Sequence, residues 1–232
     1  MLGILGGMGP LATAHFYGRL VALAPAERDQ DHPAVVMWAD PAVPDRTRAL
    51  LEQGASPVPA LIHGIRWLQQ AGADWIAIPC NTAHAFVSEL RQATGADIID
   101  MIAVSVLRAS QAQASVSRIG VLCTRGTRAS QLYERAAEPS GIELIQVDPA
   151  TQREQVDVAI ELVKRHPGDP HALALAAEHI TTATRRLREQ GAEVVIAACT
   201  EVPLVMSGAA ALLPMIDSTE CLAARALELL HS

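Results

Sequence analysis

Residues 72–81 read Gly72-Ala73-Asp74-Trp75-Ile76-Ala77-Ile78-Pro79-Cys80-Asn81, and residues 191–200 repeat the pattern as Gly191-Ala192-Glu193-Val194-Val195-Ile196-Ala197-Ala198-Cys199-Thr200. The two segments align without a gap at a spacing of 119 residues. Glycine commonly follows the end of a helix, and a short apolar run between turn signals indicates a buried strand. The pattern therefore predicts two related strands, each followed by a cysteine where a new helix begins.

The similarity extends beyond these two segments. Gly3-Ile4-Leu5 matches Gly120-Val121-Leu122 at a spacing of 117 residues, and Ile99-Asp100 matches Ile216-Asp217 at the same spacing. Thr13 likewise corresponds to the similar Ser130. A repeat this long is a duplicated domain and not a solenoid of short units. The sequence predicts two copies of one α/β unit of about 115 residues.

Hydrophobic periodicity and breaker residues place the elements within each copy. Strands are predicted at 2–5, 34–39, 74–78, 97–99, 118–122, 142–146, 193–197 and 214–216. Helices are predicted at about 10–24, 56–71, 81–94, 101–115, 128–138, 153–165, 171–190 and 219–231. Strands that alternate with helices and are apolar on both faces indicate parallel sheets covered by helices. We therefore expect an α/β protein of two similar three-layer domains with mainly parallel sheets, its active site in the cleft between them. Ligands of such sheets bind beyond the carboxyl ends of the strands, where both cysteines and Arg46 are predicted to lie.

Composition excludes several classes of function. The net charge of −7, the pI near 5.6 and an aromatic content of 3% argue against a nucleic-acid partner. No apolar run is long enough for a membrane span, and the start of the chain does not resemble a signal peptide, so we expect a cytoplasmic protein without a membrane partner. The four cysteines and eight histidines lack the spacing of a metal site, so no metal is expected.

The glycine-rich segment Gly6-Gly7-Met8-Gly9-Pro10 follows the first strand and precedes a helix. It has neither the G-x-G-x-x-G nor the G-K-[ST] pattern, so a nucleotide cofactor is not expected. The start of the helix still offers backbone N–H groups to a small anion such as a carboxylate. After the second strand, Asp45 or Thr47 is expected to cap the next helix.

Four motifs together resemble the aspartate/glutamate racemase family, and its aspartate racemase branch in particular. They are Gly7-Met8-Gly9-Pro10, Pro44-Asp45-Arg46-Thr47, Pro79-Cys80-Asn81-Thr82-Ala83-His84 and Cys199-Thr200-Glu201-Val202-Pro203-Leu204. The resemblance covers nearly the whole chain. It implies a cofactor-independent amino-acid racemase, usually a homodimer, with the C-terminal helix packed on the first domain. The expected domains are therefore 1–98 plus 217–232, and 99–216.

The resemblance also implies a reaction carried out by two thiols, Cys80 and Cys199. Inverting a chiral carbon requires a base on one face and an acid on the other, and two cysteines can exchange these roles. Both cysteines are predicted at helix starts, where the helix dipole and free N–H groups favour the thiolate. Cys123 and Cys221 are expected to be inert, because buried cysteine usually behaves as a small hydrophobic residue.

Further site residues are expected to bind the substrate, an acidic amino acid. Those near the cysteines are polar residues at strand-to-helix turns, where they cap the helix, bind the substrate carboxylate, or do both; His84 either orients the Cys80 thiol or is an internally satisfied histidine. Asp45 and Glu201 are given supporting roles, and a carboxylate near a thiol would raise its pKa. The predicted substrate-binding residues are Met8, Gly9, Arg46, Asn81, Thr82, Ala83, Thr124, Thr127, Lys164, Thr200 and Glu201.

Lys164 is the only lysine in the chain and stands where the family has a substrate-binding lysine. With Arg46 it is the expected clamp for the distal carboxylate of aspartate. Asp40 and Ala42 depart from the residues common in relatives, which leaves the substrate side chain open. The alternatives are a glutamate, hydantoin or broad-specificity racemase, a related isomerase or decarboxylase, and a non-catalytic ligand-binding protein.

Overall fold

The structure, a computed structural model, describes residues Met1 to His231. Its two four-stranded sheets consist of parallel strand pairs throughout, so the predicted α/β class is confirmed. The first half of the chain forms β1 (Leu2–Gly6), α1 (Pro10–Leu23), β2 (Val35–Ala39), α2 (Arg46–Leu51), α3 (Val58–Gln70), β3 (Trp75–Ala77), α4 (Val87–Thr94), β4 (Asp97–Ile98) and α5 (Met101–Ser110).

The second half repeats this alternation with additional helical segments. It forms β5 (Arg118–Cys123), α6 (Arg125–Ala129), α7 (Leu132–Ala137), β6 (Glu143–Gln146), α8 (Pro149–Thr151), α9 (Val158–Arg165), α10 (Pro170–Glu189), β7 (Val194–Ala198), β8 (Met215–Asp217) and α11 (Ser218–His231). Short 3₁₀ segments cover Asp29–Asp31, Asn81–Phe86, Glu138–Ser140, Val202–Val205 and Ala209–Ala211.

The two sheets have the same topology, as expected for a duplicated unit. Their strand orders are β2-β1-β3-β4 and β6-β5-β7-β8, so corresponding strands occupy corresponding positions. The helix that precedes each cysteine-bearing strand ends in the same way, since Gly72 and Gly191 both have φ of +91°. In both cases the next residue donates its N–H to a carbonyl five residues back, which closes the last turn of the helix.

Apolar helix faces cover both sides of the first sheet. Leu5 and Ile76 pack with Leu61, Ile65 and Leu90 of α3 and α4 on one side. On the other side, the side chains of β1 pack with those of α1 and α11, namely Leu2, Ile4, Phe16, Leu20, Leu222 and Ala226. Because both faces are buried, β1 is apolar along its whole length and lacks the alternation of a half-exposed strand.

The second sheet is covered in the same manner. Leu122 and Val195 pack with the helices α9 and α10 on one face, through residues such as Ile160, Ile180 and Leu187. Ile119, Val121 and Ile196 pack on the other face with Ile102 and Tyr133 of α5 and α7. Burial of apolar side chains at this scale is the main favourable contribution to folding.

Two helices are exchanged between the halves of the chain. The helix α5 follows the first sheet in sequence but packs on the second sheet, while α11 follows the second sheet and packs on the first. The chain accordingly divides into one compact unit of Met1–Met101 with the segment that begins at Thr219, and a second unit of Ile102–Ser218. The C-terminal helix α11 therefore packs on the sheet of the first unit.

Several predicted helices differ from the observed ones. The helix expected at 81–94 begins as a 3₁₀ segment and becomes α-helical only at Val87, and the helix expected at 101–115 ends at Ser110. The helix expected at 128–138 is two short helices separated at Gln131, whose φ is +51°. The helix expected at 153–165 begins earlier, at α8, and passes through π-helical residues Gln152–Asp157 before α9.

In residues 1–231, no helix combines the length and the hydropathy that a membrane crossing requires.

Candidate active site

Three loops of the first unit carry predicted site residues at the carboxyl edge of its sheet. Met8 and Gly9 follow β1, Arg46 follows β2, and Cys80 follows β3. Because these three strands are adjacent and parallel, their carboxyl ends lie at the same edge. The structure therefore brings the predicted site residues of the first unit to one edge of one sheet, where open α/β sheets bind ligands.

The loop after β1 is fixed by a residue that the sequence did not reveal as part of the site. The Gly7 N–H donates to Thr13 Oγ1 over 2.9 Å, and the Thr13 hydroxyl donates to the Gly9 carbonyl over 2.9 Å. A signal existed in the repeat, because Thr13 corresponds to Ser130, whose hydroxyl donates to the Thr127 carbonyl over 2.7 Å. Thr13 thus shapes the loop that presents Met8 and Gly9.

In the loop after β2, Asp45 and Arg46 have different local roles. Asp45 caps α2, since its Oδ1 accepts the N–H of Arg48 over 2.8 Å, as the sequence suggested. The Arg46 side chain bends back, and its Nη1 donates to the carbonyls of Val43 and Pro44 over 3.2 and 3.1 Å. Its Nε is buried and has no hydrogen-bond partner among residues 1–231. Two backbone carbonyls therefore fix the position of the Arg46 guanidinium, and its Nε–H is a hydrogen-bond donor without a partner in the described chain.

Cys80 lies in the turn that follows β3. It is 5% exposed, and it is the residue immediately before the 3₁₀ segment Asn81–Phe86. Its carbonyl accepts the N–H of Ala83 over 3.2 Å. The next three residues, Asn81, Thr82 and Ala83, are also buried. The predicted α-helix start is thus a tighter 3₁₀ turn that holds the thiol and two buried polar side chains together.

His84 occupies the inner side of this turn. Its Nδ1 lies 3.0 Å from the Cys80 carbonyl oxygen, and its Nε2 accepts the N–H of Met101 over 3.3 Å. Burial lowers the pKa of His84, with the nearby Cys80 carbonyl and Asp100 opposing the shift. The ring is therefore neutral at physiological pH and hydrogen-bonded at both nitrogens.

In the second unit, Cys199 faces a carboxylate and, beyond it, a lysine. Its Sγ donates to Glu201 Oε2 over 3.0 Å, and Lys164 Nζ lies 4.0 Å from the other oxygen, Glu201 Oε1. Cys199 and Glu201 are 5% and 3% exposed, whereas the Lys164 side chain is 38% exposed. The Cys199 thiol thus contacts the buried Glu201 carboxylate, and that carboxylate lies next to the more exposed Lys164 ammonium.

This environment keeps Cys199 protonated. Burial raises the pKa of the Cys199 thiol well above its usual value, the Glu201 carboxylate raises it further, and Lys164 partly opposes them. The expectation that a helix start favours the thiolate is wrong for Cys199. Only the 3₁₀ segment Val202–Val205 follows it, and a buried carboxylate is closer than any helix dipole. The expected effect of Glu201 on a neighbouring thiol is confirmed.

Thr124 and Thr127 occupy the turn after β5. Thr124 caps α6, since its Oγ1 accepts the Thr127 N–H over 3.1 Å, and its hydroxyl donates to Thr127 Oγ1 over 3.1 Å. The adjacent Cys123 ends a buried strand, and its carbonyl accepts Gln152 Nε2 over 2.9 Å. Burial raises the pKa of Cys123 to about 12, so this thiol is unreactive at neutral pH.

The sequence-predicted residues thus form two groups, one in each unit. The first contains Met8, Gly9, Arg46, Cys80, Asn81, Thr82 and Ala83, and the second contains Thr124, Thr127, Lys164, Cys199, Thr200 and Glu201. Cys221, on α11, is not one of these predicted residues. Within the described part of the chain, no three His, Cys, Asp or Glu side chains are grouped closely enough to hold a metal ion.

Comparison of the sequence with known proteins finds similarity to racemases. The sequence model of the family described as Asp/Glu/Hydantoin racemase matches residues 5–226. The broad specificity amino-acid racemase RacX of Bacillus subtilis is 29% identical over 230 residues, which cover 96% of this chain and 95% of RacX.

Solved structures give the same result for the fold. The aspartate racemase of Picrophilus torridus superimposes with a TM-score of 0.86 at 31% identity, over 99% of this chain and 94% of that one. The glutamate racemase isoform RacE1 of Bacillus anthracis superimposes with a TM-score of 0.74 at 20% identity, over 100% of this chain and 81% of that one. The similarity to the glutamate racemase, at 20% identity, shows a shared fold only.

Proposed function

The chain belongs to the Asp/Glu/hydantoin racemase family and is an amino-acid racemase, and from that premise we propose that it racemises aspartate without a cofactor by a two-thiol mechanism. The observation that carries this proposal is the equivalent placement of two buried cysteines. Cys80 follows β3 and Cys199 follows β7, and these strands occupy the same position in two sheets of the same order. Inversion needs one proton-transfer group on each face of the α-carbon, and a duplicated unit supplies two such groups.

The protonation state of Cys199 assigns the first roles. Because burial and Glu201 raise the pKa of Cys199, we assign it the role of proton donor in the first turnover, with Cys80 as the opposing base. Cys80 removes the α-proton while the electron pair stays on the α-carbon, and Cys199 then delivers its proton to the opposite face. After this step Cys80 is the thiol and Cys199 the thiolate, which is the arrangement that the opposite enantiomer requires.

The carbanion intermediate requires stabilisation because the α-proton of an amino acid is only weakly acidic. Donors directed at the substrate carboxylate provide it by stabilising the charge that develops there. Asn81, Thr82 and Thr200 are buried next to the two cysteines and are the proposed donors. Their burial strengthens each hydrogen bond to a charged group relative to the same bond in water.

The preference for an acidic substrate rests on two cations. Arg46 has a buried Nε without a partner among residues 1–231, and Lys164 has its ammonium near the surface beside Glu201. We propose that they bind the distal carboxylate of aspartate, for which an arginine is suited by its planar set of donors. The likeness to an aspartate racemase at 31% identity supports the same substrate.

The second candidate is racemisation of a broader range of amino acids. It is favoured by the 29% identity to RacX, which extends over 96% of the chain. Asp40 and Ala42, which the family resemblance marks as departures, lie in the loop that leads to Arg46. The related isomerase and decarboxylase activities are less well supported, because this chain has both cysteines.

The deciding experiment follows α-proton exchange and optical rotation of L-aspartate in deuterated water with purified protein and no added cofactor. The expected result is α-deuteration together with complete loss of rotation. The same assay with glutamate, alanine and asparagine separates the two candidates. Loss of rotation with aspartate alone supports the first, and comparable rates across the panel support the second.

The mechanism predicts that Cys80→Ser and Cys199→Ser each lower the rate of racemisation by at least about a thousandfold, because the serine hydroxyl is a far weaker acid than the cysteine thiol. Cys221→Ser is the matched control, since this cysteine lies on α11 and is not among the proposed site residues, and the variant should keep full activity. Unchanged melting temperatures would show that all three variants fold. Full activity in either active-site variant would exclude the two-thiol mechanism.

Exchange of the α-proton without loss of optical rotation would mean that protons are removed and returned on only one face of the substrate. No exchange with any amino acid, together with ligand-dependent thermal stabilisation, would favour a non-catalytic binding protein. The homodimer that the family resemblance implies stays a prediction, and sedimentation equilibrium would test it.

A further inference from the structure

His84 joins two parts of the first unit that are distant in sequence. One ring nitrogen contacts the carbonyl of Cys80, and the other accepts the backbone N–H of Met101. Met101 is the first residue of α5 and the last residue of the N-terminal segment of the first unit. The histidine therefore connects the turn that carries a proposed catalytic thiol with the point where the chain leaves that unit.

The two hydrogen bonds define the state of the ring. Nε2 lies 3.3 Å from the Met101 nitrogen, whose N–H donates to it, and 3.4 Å from the Ile99 carbonyl oxygen. The Met101 bond requires an unprotonated Nε2, so we assign the single proton of the neutral ring to Nδ1, which donates it to the Cys80 carbonyl. Burial lowers the pKa of His84 and Arg91 lowers it further, against the opposing effects of the Cys80 and Ile99 carbonyls and Asp100. A protonated ring could not accept from Met101, so only the neutral ring makes both bonds.

The second copy has a related link at the equivalent position. Ser218 corresponds to Met101 and is the last residue of the second unit. Its hydroxyl donates to the Ala197 carbonyl over 2.7 Å, two residues before Cys199. Each place where the chain crosses between units is thus bonded to a cysteine-bearing segment, but only the first link acts on the carbonyl of the cysteine itself.

We propose that His84 is a positioning residue for Cys80, because its bond to the Cys80 carbonyl fixes the backbone of the cysteine and thereby aims its thiol. The catalytic consequence rests on the proposed function, whereas the structural link does not. The Cys80 carbonyl has two donors, His84 Nδ1 and the Ala83 N–H, and both belong to the turn that buries the thiol. Loss of the histidine bond loosens this turn and moves the sulfur relative to the substrate.

Two substitutions separate the two bonds. In His84→Asn the amide takes the place of Nδ1 and keeps the bond to the Cys80 carbonyl, while the Met101 bond is lost. In His84→Gln the longer side chain places its amide near the position of Nε2, so the Met101 bond is kept and the Cys80 bond is lost. His171→Gln, at an exposed position on α10, is the control for removal of a histidine.

The first measurement is the alkylation rate of each cysteine by iodoacetamide, resolved by peptide mass spectrometry. In His84→Gln, alkylation of Cys80 should rise roughly fivefold to tenfold because the turn that buries it has lost a hydrogen bond. Cys199 in the same molecule should react at the wild-type rate. His84→Asn and His171→Gln should leave both rates within about twofold of wild type.

The second measurement is steady-state racemisation, with kcat and KM determined separately. His84→Gln should lower kcat by roughly tenfold to a hundredfold with KM nearly unchanged, because a misplaced base slows proton transfer without removing a substrate contact. His84→Asn should keep most of kcat. A residue that only stabilises the fold would lower the melting temperature in both variants and change both cysteines alike.

Equal effects of the two substitutions on Cys80, or a changed rate at Cys199, would overturn the proposal. If His84→Gln does not fold, His84→Asn decides alone, because faster Cys80 alkylation in that variant would contradict the role of the retained bond. A selective change in Cys80 alkylation in a protein that racemises no amino acid would uphold the link and refute the proposed function.

Discussion

Replacing Gly7 by alanine tests how closely the loop after β1 fits against the loop after β2. Gly7 has φ of +93°, and a Cβ added there would lie 2.4 Å from the carbonyl carbon and oxygen of Asp40. The left-handed backbone costs alanine about 1–2 kcal/mol. A contact of this length also forces the Asp40 backbone to move by about 1 Å, and such overpacking costs about 1–3 kcal/mol.

Gly7→Ala should therefore lower the free energy of unfolding by about 2–5 kcal/mol. For a protein of this size, the middle of that range corresponds to a fall in melting temperature of roughly 7–14 °C. The Asp40 backbone leads to Arg46, and Gly7 leads to Met8 and Gly9, so both loops of the proposed site shift. Racemisation should fall by roughly tenfold to a hundredfold.

Gly18→Ala is the matched control. Gly18 lies on the exposed side of α1, and a Cβ there meets no atom within 4 Å. Alanine is favoured over glycine inside a helix by about 1 kcal/mol, so this variant should melt roughly 2–4 °C higher and keep full activity. Thermal denaturation and the rotation assay measure both effects. A Gly7→Ala protein with wild-type melting temperature and activity would refute the argument.

Two further predictions concern the buried thiols. Glu201→Gln removes a charge that raises the pKa of Cys199, so alkylation of Cys199 at pH 8 should be faster than in wild type, whereas Lys164→Met should make it slower; rates that move together would contradict the arrangement. Cys123 should make stability decline in alkali, because its pKa is raised by burial from 9.0 to about 12 in the folded protein. The folded state holds this proton more tightly, so the stability is fully present below pH 9 and is lost as the pH rises from 9 towards 12. Cys123→Ala should therefore show a shallower decline of unfolding free energy in urea, by about 2 kcal/mol at about pH 10.5, and a slope as steep as that of Cys221→Ala would contradict it.

The repeated pattern of Gly, apolar run and Cys predicted the main elements of the fold well. Both glycines end helices at φ of +91°, and both apolar runs are buried parallel strands followed by the cysteines. Such signals are local, because backbone conformation and burial on two faces restrict which residues can stand there. The carboxyl-edge location of Arg46 followed from the predicted strand at 34–39 and that of Cys80 from the strand at 74–78, together with the geometry of parallel sheets.

The failures lie where contacts that are distant in sequence decide the outcome. The break at Gln131 and the π-helical residues Gln152–Asp157 interrupt sequences with good helical periodicity. The raised pKa of Cys199 comes first from burial, which no local pattern reports; Glu201 adds to it, and Lys164, 35 residues away in the chain, partly opposes it. The bond between His84 and Met101 likewise joins two turns whose proximity only the folded sheet creates.

The exchange of α5 and α11 bears on how a chain of this kind can arise. Each half of the sequence carries one sheet together with a helix that completes the other sheet. A half-length ancestor of this design would leave an apolar sheet face and an apolar helix face uncovered, so it would be stable only as a pair that trades helices, as in a domain-swapped dimer. Joining two such copies in one chain would replace an association that depends on protein concentration with one inside a single chain, and would leave each copy free to acquire its own residues around its cysteine.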